Sequence, residues 1–310
     1  MLADDSFQDR GRAVDVEEME EIVSKMRRQE STTYRCEDYL ARGPANTVGA
    51  VDEAWRQRMC EWMYVVVDHC NFNRNIVMIS AKYLDICLTK GDKVIRTRRN
   101  FQLAAMTSLH LAMKIIDTSC VKVDSLVQLS RGLFTTEDVI KMEEHLIITM
   151  GWHLHPPSPT CFLTRYMDLF HSSVSHKVKF MIAEVSRFIA EMSVCVYKFV
   201  KYKSSVIAYA SLLISMDSID ENSFPLWQRL HFYRRMASVV KLWNTSKEVS
   251  FVSMQLRKLV EKNADLKVLM ETIDPKCCIL QPTPCKTSSD GSSNSPRNIV
   301  KGPAVVYADY

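Results

Sequence analysis

Four ionisable side chains stand where the hydrophobic pattern of the chain calls for apolar residues: Arg56, Asp85, Lys114 and Glu143. Asp85 is the single acid in the apolar run YLDICL, and Lys114 closes FQLAAMTSLHLAMKII, a stretch apolar on nearly every face. A helix of that texture is a buried one, and a charge inside it needs either a route to water along its own stem or a partner supplying opposite charge and acceptors. Two cations and two anions can pair within the fold, or they can satisfy groups on another molecule. Breaking a buried pair costs about 3 to 5 kcal/mol, so such residues persist only in company.

Other chemistries leave no comparable trace. The chain has no glycine-rich phosphate loop, no H-E-x-x-H pair, and no Ser-His-Asp or Cys-His arrangement that spacing singles out. Its ten cysteines include no C-x2-C pair of the zinc-binding kind. They read as reduced, mostly core-filling residues. No metal, no cofactor and no enzymatic activity is expected.

The elements that must place these charges are helical. With 310 residues and only eight glycines, a strand-and-turn architecture is disfavoured. The net charge of +4 is small and its basic residues are dispersed, apart from Lys90, Lys93, Arg96, Arg98 and Arg99, which read as a solvated loop. No apolar run approaches a membrane span, and the acidic start is unlike a signal peptide, so a soluble intracellular protein is expected.

Residues 1–16 read as disordered, and 17–30 as one amphipathic helix (Met19, Ile22, Val23, Met26) that must dock on something to be stable. Residues 50–155 then hold five helices. The fifth opens at a capping box of Thr135 with Asp138 and carries Ile140, Met142, Leu146, Ile147 and Met150. Pro156-Pro157-Ser158-Pro159 punctuates the chain, with Ser158 suited to an N-cap and Pro159 to the first turn. The pattern restarts over 157–262, where SSVIAYASLLISM repeats the small-residue texture of the buried run, and Thr245 with Glu248 resembles another capping box. The expectation is an all-α protein of two tandem five-helix folds, ending in a disordered Ser/Thr/Pro-containing tail over 275–310.

The charged residues also carry a resemblance. Arg56 in WRQRMCEW, Asp85 in YLDICL, Leu103 in FQLAA, Lys114 in LAMKI and Glu143 in KMEEHL occur in the order and on the helices of a cyclin box. The following GWHLHPPSPTCF resembles the linker between the two folds of a cyclin. Similarity extends over roughly residues 17–262, more weakly in the second half. It implies a regulatory subunit of a cyclin-dependent protein kinase, acting in cell-cycle control in nucleus and cytoplasm. The YLD helix and the GW-x-L-x-P-P linker lean towards D-like forms.

The resemblance assigns roles. Arg56 and Asp85 would form an internal ion pair. Lys114 and Glu143 would lie side by side on the kinase-facing surface, with Leu129, Ile147, Trp152 and Leu154 as apolar contacts. Trp55, Met59, Trp62 and Gln102 match positions of a patch that docks Arg-x-Leu segments of substrates or inhibitors, although Arg58 brings a positive charge to it. Thr283-Pro284-Cys285-Lys286 and Ser295-Pro296 fit proline-directed phosphorylation. The rival reading is a transcription factor or adaptor with cyclin-like repeats that binds nucleic acid or other proteins. The acidic N-terminus without a zinc ribbon makes nucleic acid the weaker partner.

Overall fold

The structure is a computed structural model describing residues 16–41, 49–117 and 122–263. These form helices α1 (Val16–Ser31), α2 (Glu53–His69), α3 (Asn75–Thr89), α4 (Arg98–Ile116), α5 (Val123–Leu129), α6 (Thr136–Met150), α7 (Pro159–Met167), α8 (His176–Cys195), α9 (Ser204–Asp217), α10 (Leu226–Arg235) and α11 (Lys247–Glu261). A π-helical stretch, Met236–Val240, extends α10. Among the described residues no strand forms beyond one bridge between Ala50 and Thr97.

Side-chain caps set most of the starts. Asp52, Thr97, Ser158 and Ser175 each accept from a backbone N–H in the first turn of the helix they precede. At α6 the capping box is complete, since Thr135 accepts from the Asp138 N–H and Asp138 accepts in return from the Thr135 N–H at 2.8 Å. One expectation needs correcting. The last helix is capped by Ser246, which accepts from the Val249 N–H. Thr245 lies one residue too early, and Ser246 has the extended backbone an N-cap requires.

The helices divide into two five-helix units with separate cores. The first, α2 to α6, closes around Met63, Tyr83, Leu84, Phe101, Leu109 and Leu146. The second, α7 to α11, closes around Phe162, Tyr166, Ile189, Tyr209, Phe232 and Val252. The same device recurs at the centre of each. In the first unit Ser80 of α3 and Ser108 of α4 share a hydroxyl hydrogen bond at 2.8 Å. In the second, Ser186 of α8 and Ser215 of α9 do so at 2.6 Å. A serine occupies little more room than alanine, so the helix axes approach closely, and each hydroxyl finds its partner across the seam.

The N-terminal helix docks on the second unit, although it precedes the first. Met19 and Val23 are buried in the second core, and Arg27 donates from Nη1 to the Val240 carbonyl. Glu30 is buried and accepts from the Ser205 backbone N–H at 3.0 Å and from the Ser205 hydroxyl. The following segment straps the units together. The Tyr197 hydroxyl donates to Asp38 at 2.8 Å and accepts from the Leu40 N–H at 2.8 Å.

Candidate functional site: a surface ion pair and exposed apolar residues

The four sequence-marked charges resolve into two pairs of different kinds. Arg56 on α2 and Asp85 on α3 meet inside the protein, with side chains 3% and 6% exposed. Arg56 Nε donates to Asp85 Oδ1 at 2.8 Å and Nη2 to Oδ2 at 2.7 Å, a two-pronged match of guanidinium to carboxylate. The third nitrogen, Nη1, donates to the Val194 carbonyl at 2.8 Å, and the Tyr39 hydroxyl donates to Asp85 Oδ1 at 2.8 Å. Burial works most strongly against the charge on Arg56, but Asp85, Cys60 and Tyr39 together outweigh it and hold the guanidinium pKa well above its usual value. Burial and the Asp85 charge push the Tyr39 phenol well up. This pair locks α2 to α3 and reaches into the second unit. It offers nothing to a partner.

Lys114 and Glu143 are also ion-paired, across the seam between the end of α4 and the middle of α6. Their side chains keep 34% and 18% of their surface exposed. Lys114 therefore leaves the apolar interior with a partner rather than by its own stem alone. The buried face of α6 is the stripe Val139, Met142, Leu146 and Met150. Glu143 stands beside that stripe, where α6 meets solvent.

The residues expected around this pair differ in how far they are presented. Leu129, at the end of α5, is 43% exposed and Trp152 is 74% exposed, whereas Ile147 and Leu154 are half-buried against the first core. Gly151 and Trp152 both adopt left-handed backbone, φ 66° and 63°. The Gly151 N–H bonds the Ile148 carbonyl at 2.9 Å and the Trp152 N–H bonds the Ile147 carbonyl at 3.1 Å, the double closure that satisfies the last carbonyls of a helix. A bulky residue at positive φ is uncommon, and here that backbone leaves the indole in solvent.

Sequence reasoning missed two members of this surface. Ile140 was expected to share the core-facing pattern of α6, but it is 54% exposed, and Ile148 is 62% exposed. Ile140 and Ile148 lie on α6 outside its buried stripe, and Trp152 follows the end of that helix. The signal was present in the sequence. The stripe 139, 142, 146, 150 already fills the core-facing side of the helix, so further isoleucines outside it had to face something else.

The second expected surface is weaker. Trp55, Trp62 and Gln102 are half-buried, and Met59 is buried in the first core, so it offers almost no surface for docking. Arginines flank the aromatic anchor: Arg98 lies 5.3 Å and Arg58 6.0 Å from the centre of the Trp55 ring. Both approaches bring positive charge to the exposed part of the indole. The basic loop is otherwise tied back to the fold, with Lys90 donating to the Thr149 carbonyl at 2.8 Å and Arg98 pairing with Asp52 at 2.7 Å. Thr283 and Ser295 lie outside the described residues. No group of three or more metal-ligating side chains occurs among the described residues, and none of their helices is long and apolar enough to cross a membrane.

Two five-helix units, carrying a surface ion pair and several exposed apolar side chains, define an all-helical scaffold. Family models place it further: the cyclin N-terminal domain matches residues 21–155 and the cyclin C-terminal domain residues 157–268. The chain belongs to the cyclin family. Among its relatives, Cyclin-B2-2 of Oryza sativa subsp. indica is 25% identical over 69% of this chain and 47% of its own length. G2/mitotic-specific cyclin-B3 of Caenorhabditis elegans is 26% identical over 64% of this chain and 49% of its own length. The chain thus spans about half the length of the curated relatives it matches. A viral cyclin from herpesvirus saimiri, solved by X-ray diffraction, shares the fold, with a TM-score of 0.58 at 14% identity over 78% of this chain and 97% of that one.

Proposed function

We propose that this protein is a regulatory subunit that binds and activates a cyclin-dependent protein kinase in cell-cycle control. The observation that carries this reading is the Lys114–Glu143 pair at the solvent edge of α4 and α6, on a unit that also leaves Leu129, Ile140, Ile148 and Trp152 exposed. Exposed apolar residues and a partly exposed charge pair on one unit suit a protein interface, where the apolar groups supply burial and the charges fix register. A protein kinase is competent only when its regulatory helix brings a glutamate to the strand lysine, and a rigid helical surface docked on that helix can hold it in place. On this reading the protein contributes binding energy and no catalytic group.

The finer D-like assignment rests on the YLD helix and the GWHLHPP linker alone, and the B-type names of the relatives above lend it no support. Docking of Arg-x-Leu segments at Trp55, Trp62 and Gln102 is a secondary proposal, opposed by Arg58 and Arg98. A free Arg-x-Leu peptide with no measurable affinity removes it. Location in nucleus and cytoplasm belongs to the same reading, and so does phosphorylation of Thr283 and Ser295.

The test is co-purification with a panel of cyclin-dependent kinases, using Lys114→Glu, Glu143→Lys and the double exchange. Each single variant is expected to keep its helical circular dichroism and to lose at least about tenfold in kinase affinity. The double exchange rebuilds the internal pair with its charges reversed and should stay defective, because the kinase groups have not been exchanged. Full binding by both single variants overturns the proposal. Rescue by the double exchange reduces the pair to a structural role.

A further inference from the structure

We propose that Ser238 is a phosphorylation site for an arginine-directed serine kinase, and that phosphate there releases the N-terminal helix α1 from the second unit. The sequence Arg234-Arg235-Met236-Ala237-Ser238 puts arginines three and four residues ahead of the hydroxyl, a spacing that an acidic substrate groove on a kinase can read. Ser238 is exposed, and so is Arg234. The Ser238 hydroxyl donates only to the Arg235 carbonyl, one turn back at 3.1 Å.

The local backbone suits a segment that must open to enter another enzyme. Ser238 lies in the π-helical stretch Met236–Val240, where the ladder of α10 is already widened. The stretch ends at Lys241 in left-handed conformation, φ 57°, and the Leu242 N–H reaches the Met236 carbonyl only at 3.4 Å. The Lys241 N–H also bonds the Met236 carbonyl, so unwinding the last turn gives up that bond together with the long one.

This stretch and Lys241 just after it form part of the seat of α1. Arg27 donates to the Val240 carbonyl, and Lys241 pairs with Glu20 of α1 at 3.2 Å while also donating to the Ser238 carbonyl. Lys241 thus stands between the serine and the carboxylate. Phosphorylation forms a bond from Ser238 Oγ to the γ-phosphorus of a nucleoside triphosphate. The bond from that phosphorus to the bridging oxygen breaks, the nucleoside diphosphate leaves with the electron pair, and the hydroxyl proton passes to a base of the acting kinase. The product carries close to two negative charges and three strong acceptors. It competes with Glu20 for Lys241 and leaves that carboxylate facing a phosphate of like charge. Glu17, Glu18 and Glu21 in the same stretch of α1 add to the repulsion.

The experiment treats the purified full chain with an arginine-directed serine kinase and magnesium ATP, maps the phosphate by mass spectrometry, and follows α1 by amide hydrogen exchange. Phosphate at Ser238 is expected, with protection of α1 falling at least about tenfold while α8 and α9 stay protected. Arg235→Gln should slow the modification at that serine. Ser238→Ala should leave α1 protected after the same treatment, so the loss is assigned to this site. Phosphate confined to other residues, such as Ser31, which follows Arg28 at the same spacing, overturns the proposal. Phosphate at Ser238 with α1 equally or better protected overturns it as well.

Discussion

At the scale of single residues, Arg56 and Trp152 mark opposite uses of a conspicuous side chain. Arg56 is fully committed: two nitrogens grip Asp85, the third holds the Val194 carbonyl, and burial leaves no water to replace them. Arg56→Ala strands the Asp85 carboxylate in the interior, and a loss of about 3 to 5 kcal/mol is expected from denaturant unfolding. Removing both partners together, Arg56→Ala with Asp85→Ala, should cost less than the arginine change alone, because no uncompensated charge remains. A double variant less stable than the single one would show that the pair is not the main source of the loss. Trp152 has the reverse profile, with three quarters of its surface in solvent on a left-handed backbone. Glycine accepts that backbone freely, so Trp152→Gly should change stability by no more than about 1 kcal/mol. The same change should weaken kinase capture, which separates a residue kept for a partner from one kept for the fold. Unfolding midpoints and pull-downs on the same preparations check both halves.

At the scale of elements, the helices were legible because their ends are written in short-range chemistry. Thr135 with Asp138 and Ser158 with Pro159 each act within a few residues, so a local reading finds them. The surface of α6 was only partly legible, because Ile140 has the residue type of the core and the face of the solvent. The docking partner of α1 was not legible at all. Its amphipathic stripe showed that a partner was needed, but Met19, Val23 and Glu30 meet residues more than a hundred positions away. Glu30 gives this docking a pH signature. Burial raises its carboxyl pKa against the opposing pull of the Ser205 bonds and the nearby cations. A carboxyl whose folded pKa is raised binds its proton more readily when folded, so its penalty is full above the folded pKa and fades as pH falls through it. Glu30→Gln keeps an acceptor for the Ser205 N–H and carries no charge. The variant should therefore melt higher than the parent at neutral pH, with the difference shrinking as pH falls towards the ordinary carboxylate range. A melting difference independent of pH would show that Glu30 is not the titrating group.

At the scale of the whole molecule, polar contacts between the two units decide whether they unfold as one body. Arg74, just ahead of α3, pairs with Asp68 at 3.2 Å and with Glu191 of α8 at 2.7 Å, and its guanidinium lies 4.7 Å from the centre of the Tyr64 ring. Tyr64 in turn donates to the Glu191 carbonyl at 3.2 Å. Burial raises the Glu191 carboxyl pKa, and Arg74, followed by Arg187, opposes that rise. Arg187 stands 3.9 Å from the carboxylate and is half-exposed, so it is a poor substitute. Arg74→Ala should destabilise the chain by about 3 kcal/mol at neutral pH, where Glu191 would be left charged and buried without its main partner. The sign with pH follows from the same carboxyl. As pH falls and Glu191 takes up its proton, the missing cation matters less, and the difference from the parent should narrow. Because Arg74 also joins the two units, the variant should unfold in two transitions where the parent shows one, when intrinsic tryptophan fluorescence is compared with far-ultraviolet circular dichroism. Coincident transitions in Arg74→Ala, with a stability loss that does not vary with pH, would mean that the units are coupled through their apolar contact and the strap at Tyr197 instead.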